Sequence, residues 1–257
     1  MDNLQSAKIR AALVMIAWLA TVASLWGMTA AGRRAIEKDT GCEAKETRNR
    51  VVQLQKESAE DEVLAALSKE CVRRSVKAQV VEDFLFLLAY GALNFVLFLF
   101  AGTLRGAGRA LALLGLLLAI AMAAGDAFEN LRALDVIGLV EQGASRQEIQ
   151  EPLRLLRSGA LVKWGALALA SALLGMLWPR ARFSWIPRLL GLGAAVAVAA
   201  GLMAESWEGL AGSMAALAAF WLAGLVHAVA VAVTVEPGPA PAPVPAPVPA
   251  TRSEDKK

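Results

Sequence analysis

The stretch ALALLGLLLAIAMAAGDAFENLRALD, Ala110 to Asp135, decides how the chain is read. Its first 16 residues, Ala110 to Gly125, carry no charge, yet Asp126, Glu129 and Asn130 follow at once. An α-helix rises about 1.5 Å per residue, so about 20 residues are needed to cross a hydrocarbon core about 30 Å thick. Counted from Arg109, such a span reaches Glu129, which makes the two acids part of its last turn rather than a break in it. There they are interfacial, and their insertion costs less than the roughly 2.5 to 3.5 kcal/mol of a charge at mid-bilayer.

The same count applied outward finds five more spans. Ala11 to Gly32, Phe84 to Leu104 and Gly209 to Val235 are long enough with no charged residue at all. Trp164 to Pro179 and Leu189 to Ala204 have 16 uncharged residues each and must recruit polar neighbours. The fourth span, counted back from Trp178, begins near Gly159 and takes in Lys163. The predicted fold class is therefore all-α: a polytopic integral membrane bundle of six transmembrane helices. Span one covers residues 1–32 with the N-terminus, and the other five occupy 84–235, at about 84–104, 110–130, 159–178, 187–204 and 209–235. The composition agrees: of 257 residues, 57% are hydrophobic and 19% charged, too apolar for an ordinary soluble domain. A net charge of +3 spread over the ends of apolar runs gives no basic face for nucleic acid.

Short cytoplasmic loops retain Lys and Arg. Lys8 and Arg10, Arg105 and Arg109, Arg180, Arg182 and Arg188, and Arg252, Lys256 and Lys257 all fall on one side of a six-span chain. The turn AESWEG with Glu205 and Glu208 falls opposite. This predicts an N-in, C-in protein, with the bacterial inner (cytoplasmic) membrane as the expected location. Arg33 and Arg34 argue the other way, but they open a segment of about fifty residues, and long translocated segments escape the rule. The first span, 22 residues without charge, is long for a signal peptide and is read as a retained anchor. If it were cleaved, five spans would remain.

Residues 33–83 are rich in Glu, Lys, Arg, Gln and Ala, all good helix formers, with Val51, Val52, Leu54, Val63, Leu64, Ala66, Leu67 and Val72 near helical spacing. Ser58 with Asp61 resembles a capping box. An extracytoplasmic helical hairpin is predicted, its second arm running into span two. Cys42 and Cys71 lie about equally far from the turn, so an antiparallel hairpin brings them level for a disulfide, in a compartment where disulfides persist. The tail 236–257, with PGPAPAPVPAPVPA, is predicted to be a disordered polyproline II spacer.

Asp126, Glu129 and Asn130 stand at i, i+3 and i+4 and so share a helix face. Lys163, early in the antiparallel fourth span, lies at similar depth, and a cation is the partner that carboxylates in a partly dry site require. Contact between Lys163 and the Asp126/Glu129 pair is the central structural expectation. Asp83, Tyr90 and Asn94, spaced seven and four apart on span two, form a second polar stripe facing the bundle; Ser213 and His227 form another on span six. Gly193, Ala197 and Gly201 make a small-residue ladder on span five. Between spans three and four, Ser145 with Glu148 reads as a capping box and Pro152 as a first-turn residue of an extension of span four, with Leu153, Leu155 and Leu156 lying at the interface.

Signatures of catalysis are lacking: no His-Glu-x-x-His, Walker loop, Cys-x-x-Cys or Gly-x-Ser-x-Gly occurs. With one His, bis-His haem ligation or a His-rich metal site cannot be built, so no catalytic residue, metal or cofactor is assigned. The expected partners are the lipid bilayer and a protein met at the hairpin or the Pro-rich tail. Two functions compete. A non-enzymatic scaffold, sensor or interaction protein ranks first, because no inverted repeat or broken span is evident. A small-solute or proton-coupled transporter or binding protein, using Asp126, Glu129 and Lys163, ranks second; contact of those three without a cavity would exclude it.

Overall fold

Leu, Ala, Val and Gly fill each long apolar run, and lipid offers backbone groups no hydrogen-bond partner, so such runs close their bonds internally as α-helix. The computed structural model describes residues 2–37, 53, 55, 60–105, 108–178, 184–203 and 207–234. Among these are seven α-helices and no strand: α1 Asp2–Ile36, α2 Glu60–Leu67, α3 Glu70–Arg105, α4 Gly108–Glu141, α5 Arg146–Leu177, α6 Trp185–Met203 and α7 Trp207–Thr234. All except α2 are long and apolar enough to cross a membrane. Successive long helices pack side by side, and α7 returns against α1.

Three helices outrun the membrane. α3, α4 and α5 have 36, 34 and 32 residues, which at about 1.5 Å per residue gives roughly 50 Å each, against a hydrocarbon core of about 30 Å. Their surplus, with α2 and the end of α1, forms a second apolar core of Ile36, Val63, Leu67, Val72, Val76, Val80, Val136, Ile137, Leu153 and Leu156. The main core, holding Tyr90, Leu93, Leu97, Phe98, Phe100, Met122, Trp164, Leu174, Trp178, Val198 and Phe220, fills the membrane part. Asp126, Glu129 and Lys163 stand where the two cores meet.

Residues 131–158 hold two helical arms, the continuation of α4 to Glu141 and the start of α5 at Arg146, the second of which is the expected extension of span four. Leu153 and Leu156 are wholly buried in the second core, because α2 and α3 supply an apolar surface there for them to pack on. The arms meet in a tight turn. Gly143 at φ 71 takes the left-handed conformation, and Ala144 N–H donates to Leu139 O at 3.0 Å and Gly143 N–H to Val140 O at 3.2 Å, the bond pair of a Schellman cap. The Ser145 capping box forms: Ser145 N–H donates to Glu148 Oε2 at 2.7 Å. Since α5 starts at Arg146, Pro152 lies in its second turn, not its first.

α2 runs into α3 with a break only at Ser68 and Lys69, where Arg73 Nη1 donates to Leu67 O at 2.9 Å and Ser68 O at 2.7 Å. Glu60, at the start of α2, is buried and joins it to α5: Oε2 accepts from Arg157 Nη2 at 2.7 Å and Oε1 from Gln150 Nε2 at 2.7 Å. On α6 the buried face is Pro187, Gly191, Ala194, Val198 and Gly201. Gly193 is exposed, so the contact line steps alternately by four and three along the helix rather than following the Gly193-Ala197-Gly201 ladder. Cys42, Ser58 and the tail 236–257 lie outside the described residues.

Candidate functional site

The site begins with two glycines. A Cβ on Gly125 of α4 would stand 2.7 Å from Lys163 N and 3.0 Å from Gly159 O of α5; one on Gly159 would stand 2.9 Å from Gly125 O. Only residues without side chains allow the two backbones this close. Asp126 and Glu129 flank the crossing on one side and Lys163 on the other, so their charged ends are brought together by backbone packing.

Lys163 Nζ donates to Asp126 Oδ1 at 2.8 Å and pairs with Glu129 Oε2 at 2.6 Å. Asp126, Glu129 and Lys163 are all buried. Asp126 Oδ2 accepts from the Tyr90 hydroxyl at 2.7 Å. Glu129 Oε1 accepts from Gln55 Nε2 at 2.5 Å, and Gln55 Oε1 in turn accepts from Trp164 Nε1 at 2.9 Å. The Lys163 ammonium also lies 5.4 Å from the centre of the Trp164 ring. Glu129 Oε2 has its ion pair with Lys163 and no hydrogen bond besides among the described residues.

Asn130 does not join this trio. It sits on the side of α4 that faces α3, and its Nδ2 donates to Asp83 Oδ2 at 2.9 Å, while its buried Oδ1 has no partner among the described residues. Asp83, Tyr90 and Asn94 all point into the bundle, but in different roles. Asp83 is held by Asn130, Tyr90 by Asp126, and Asn94 donates to Tyr90 O at 2.9 Å within its own helix. Asn94 Oδ1 faces Trp221 Nε1 at 3.4 Å, and Trp221 stacks on Tyr90 at 6.2 Å between ring centres.

These groups line one wall of a cavity of about 670 Å³. Asp83, Tyr90, Asp126, Glu129, Lys163 and Trp164 belong to that wall, and α1 and α7 contribute apolar side chains such as Trp18, Leu25, Leu217 and Trp221. A pocket of this size, largely apolar with a few converging polar groups, has the form of small-molecule sites. No periodicity or motif marks Gln55, which lies in the sequence between α1 and α2. Trp18, Trp164 and Trp221 carry a signal, the retention of a large amphipathic ring beside polar residues in a membrane span, but a single sequence does not distinguish a cavity wall from a packed core.

Ser213 and His227 lie elsewhere. Ser213 Oγ donates to Ala197 O at 2.8 Å, joining α7 to α6. The His227 ring meets Trp178 edge-on at 5.6 Å and Phe100 at 6.5 Å, and its Nε2 has no partner among the described residues. Among those residues no three His, Cys, Asp or Glu side chains are arranged to hold a metal ion. The chain matches no protein-family model, no curated protein and no solved structure.

Proposed function

We propose that this membrane protein binds a small amphiphilic molecule in the cavity between α1, α3, α4, α5 and α7, as a receptor or carrier. The observation that carries this reading is the cavity of about 670 Å³ with the Asp126–Glu129–Lys163 cluster in its wall. A clamp that only held α4 to α5 would have no need of open space beside it, and the Gly125–Gly159 crossing already brings those helices together. Pockets of roughly 300 to 1,000 Å³ bury most of a small ligand, with apolar walls supplying area and a few polar groups fixing its orientation. Here the cluster receives the polar end of the ligand, and the α1 and α7 side chains cover its apolar body. The scaffold reading is weaker for that reason.

The distribution of arginine and lysine favours N-terminus and Pro-rich tail in the cytoplasm with hairpin and cluster outside, and a bacterial inner membrane is the location proposed with it. A Cys42–Cys71 disulfide would tie the hairpin's first arm to α3, where Cys71 is buried in the second core. Loop closure of this length contributes about 3 to 4 kcal/mol.

The test of the reading is native mass spectrometry of the full chain released from nanodiscs. A small amphiphile retained through purification is expected for the native protein and lost in Ala218→Trp, which fills the cavity from α7. A ligand-free native protein, or equal retention by the folded variant, would overturn it.

A further inference from the structure

The ligand-binding reading leaves open which charge the ligand carries, and the cavity wall is unbalanced in this respect. Among the described residues three carboxylates line it, Asp83, Asp126 and Glu129, against one cationic lining residue, Lys163. The Lys163 ammonium is committed to Asp126 at 2.8 Å and Glu129 at 2.6 Å. Asp83 has a neutral partner, the Asn130 amide, and no cation within ion-pair distance among the described residues. An excess of carboxylate in a poorly hydrated site has to be offset by protons or by a bound cation. An anionic ligand would add to the excess.

Aromatic rings also line the cavity, beside aliphatic side chains and the polar Thr21 and Gln79. Trp18, Phe86, Tyr90 and Trp221 stand on the α1, α3 and α7 sides of the same cavity as Asp83. Aromatic rings attract cations through their quadrupole by about 0.5 to 2 kcal/mol each, most when desolvated, and quaternary ammonium groups are the ligands such ring clusters recognise best. Carboxylate excess and aromatic lining are independent features, and they select the same chemistry.

We infer that the cavity selects a lipophilic cation, a protonated or quaternary amine or an equivalent onium ion with an apolar body, whose charge is held beside Asp83 among these rings. This rests on the proposed ligand-binding function and adds the sign of the ligand.

The experiment uses two probe ions of nearly the same size and shape and opposite charge, tetraphenylphosphonium and tetraphenylborate. Binding of each to the full chain in neutral-lipid nanodiscs is followed by quenching of tryptophan fluorescence, with empty nanodiscs subtracted. Tetraphenylphosphonium is expected to bind at least about tenfold more tightly than tetraphenylborate, and Asp83→Asn to weaken it by about tenfold. The two-ion comparison uses the native chain, so it stands even if that variant folds poorly. Equal or tighter binding of the borate overturns the inference of charge and leaves the cavity's ligand-binding role intact. Undiminished phosphonium binding by a folded Asp83→Asn variant overturns the role of Asp83. Failure of both ions to bind overturns the inference, and the retained-ligand measurement then decides separately whether the cavity binds anything.

Discussion

Replacing Lys163 by Met removes the one cation that, among the described residues, Asp126 and Glu129 share. The side chain keeps its length and apolar stem, so the change is chiefly the loss of an ammonium 2.8 Å from Asp126 and 2.6 Å from Glu129. Asp126 retains the Tyr90 hydroxyl and Glu129 the Gln55 amide. Each of those neutral hydrogen bonds contributes about 1 kcal/mol, whereas removing one partner of a buried ion pair costs about 3 to 5 kcal/mol. A net loss of about 3 kcal/mol follows. For a chain of this size about 1 kcal/mol moves Tm by roughly 2 to 4 °C, so Lys163→Met is expected to melt about 6 to 12 °C lower in nanodiscs. Adding Asp126→Asn and Glu129→Gln removes the stranded charges and should restore most of the stability. A single variant within about 1 kcal/mol of the native protein would show that the cluster is hydrated enough to need no ion pair. A triple variant no better than the single one would refute the charge argument.

Gly125→Ala places a methyl group against the α5 backbone at Lys163 N, and overpacking of this kind costs about 1 to 3 kcal/mol, seen as a lower Tm together with weaker ligand retention. Gly138→Ala, where a Cβ meets nothing within 4 Å, is the control and should be stabilising by about 0.5 to 1 kcal/mol. Glu60→Ala strands Arg157 and frees Gln150, so hydrogen exchange along α2 is expected to speed up by about tenfold or more while the membrane helices are unaffected. Gly143→Ala forces a side chain into the left-handed region at the α4–α5 turn, with an expected cost of about 1 kcal/mol in thermal unfolding. A thiol count on unfolded, unreduced protein is expected to find no free thiol, and two would exclude the Cys42–Cys71 bridge.

Much of the site was legible because it rests on periodicities. The i, i+3 spacing of Asp126 and Glu129 and the length count that placed Lys163 opposite them depend only on helix geometry and bilayer thickness. The contact of Lys163 with both acids follows from those two quantities. Asn130 could be given no partner from its spacing, because a face shared with Asp126 still spans a wide arc, and the side of that arc turned to α3 meets Asp83. The length of α4 and α5 beyond the membrane was obscured for a different reason. Residues such as Leu153 and Leu156 have the pattern of an interfacial helix, and only the presence of α2 and the start of α3 above the bundle gives them a core to enter. The cavity was illegible, since empty space is set by how five helices cross and not by any one of them.

The decisive measurement is a density map of the full chain in nanodiscs, at a resolution that shows side chains. Non-protein density is expected in the space between α1, α3 and α7, ending beside Asp83 and the Lys163 ion pairs. Helices closed onto one another there, with Trp18 and Trp221 filling the space and Lys163 still paired to Asp126 and Glu129, would contradict the ligand-binding reading and leave the cluster as a clamp between α4 and α5.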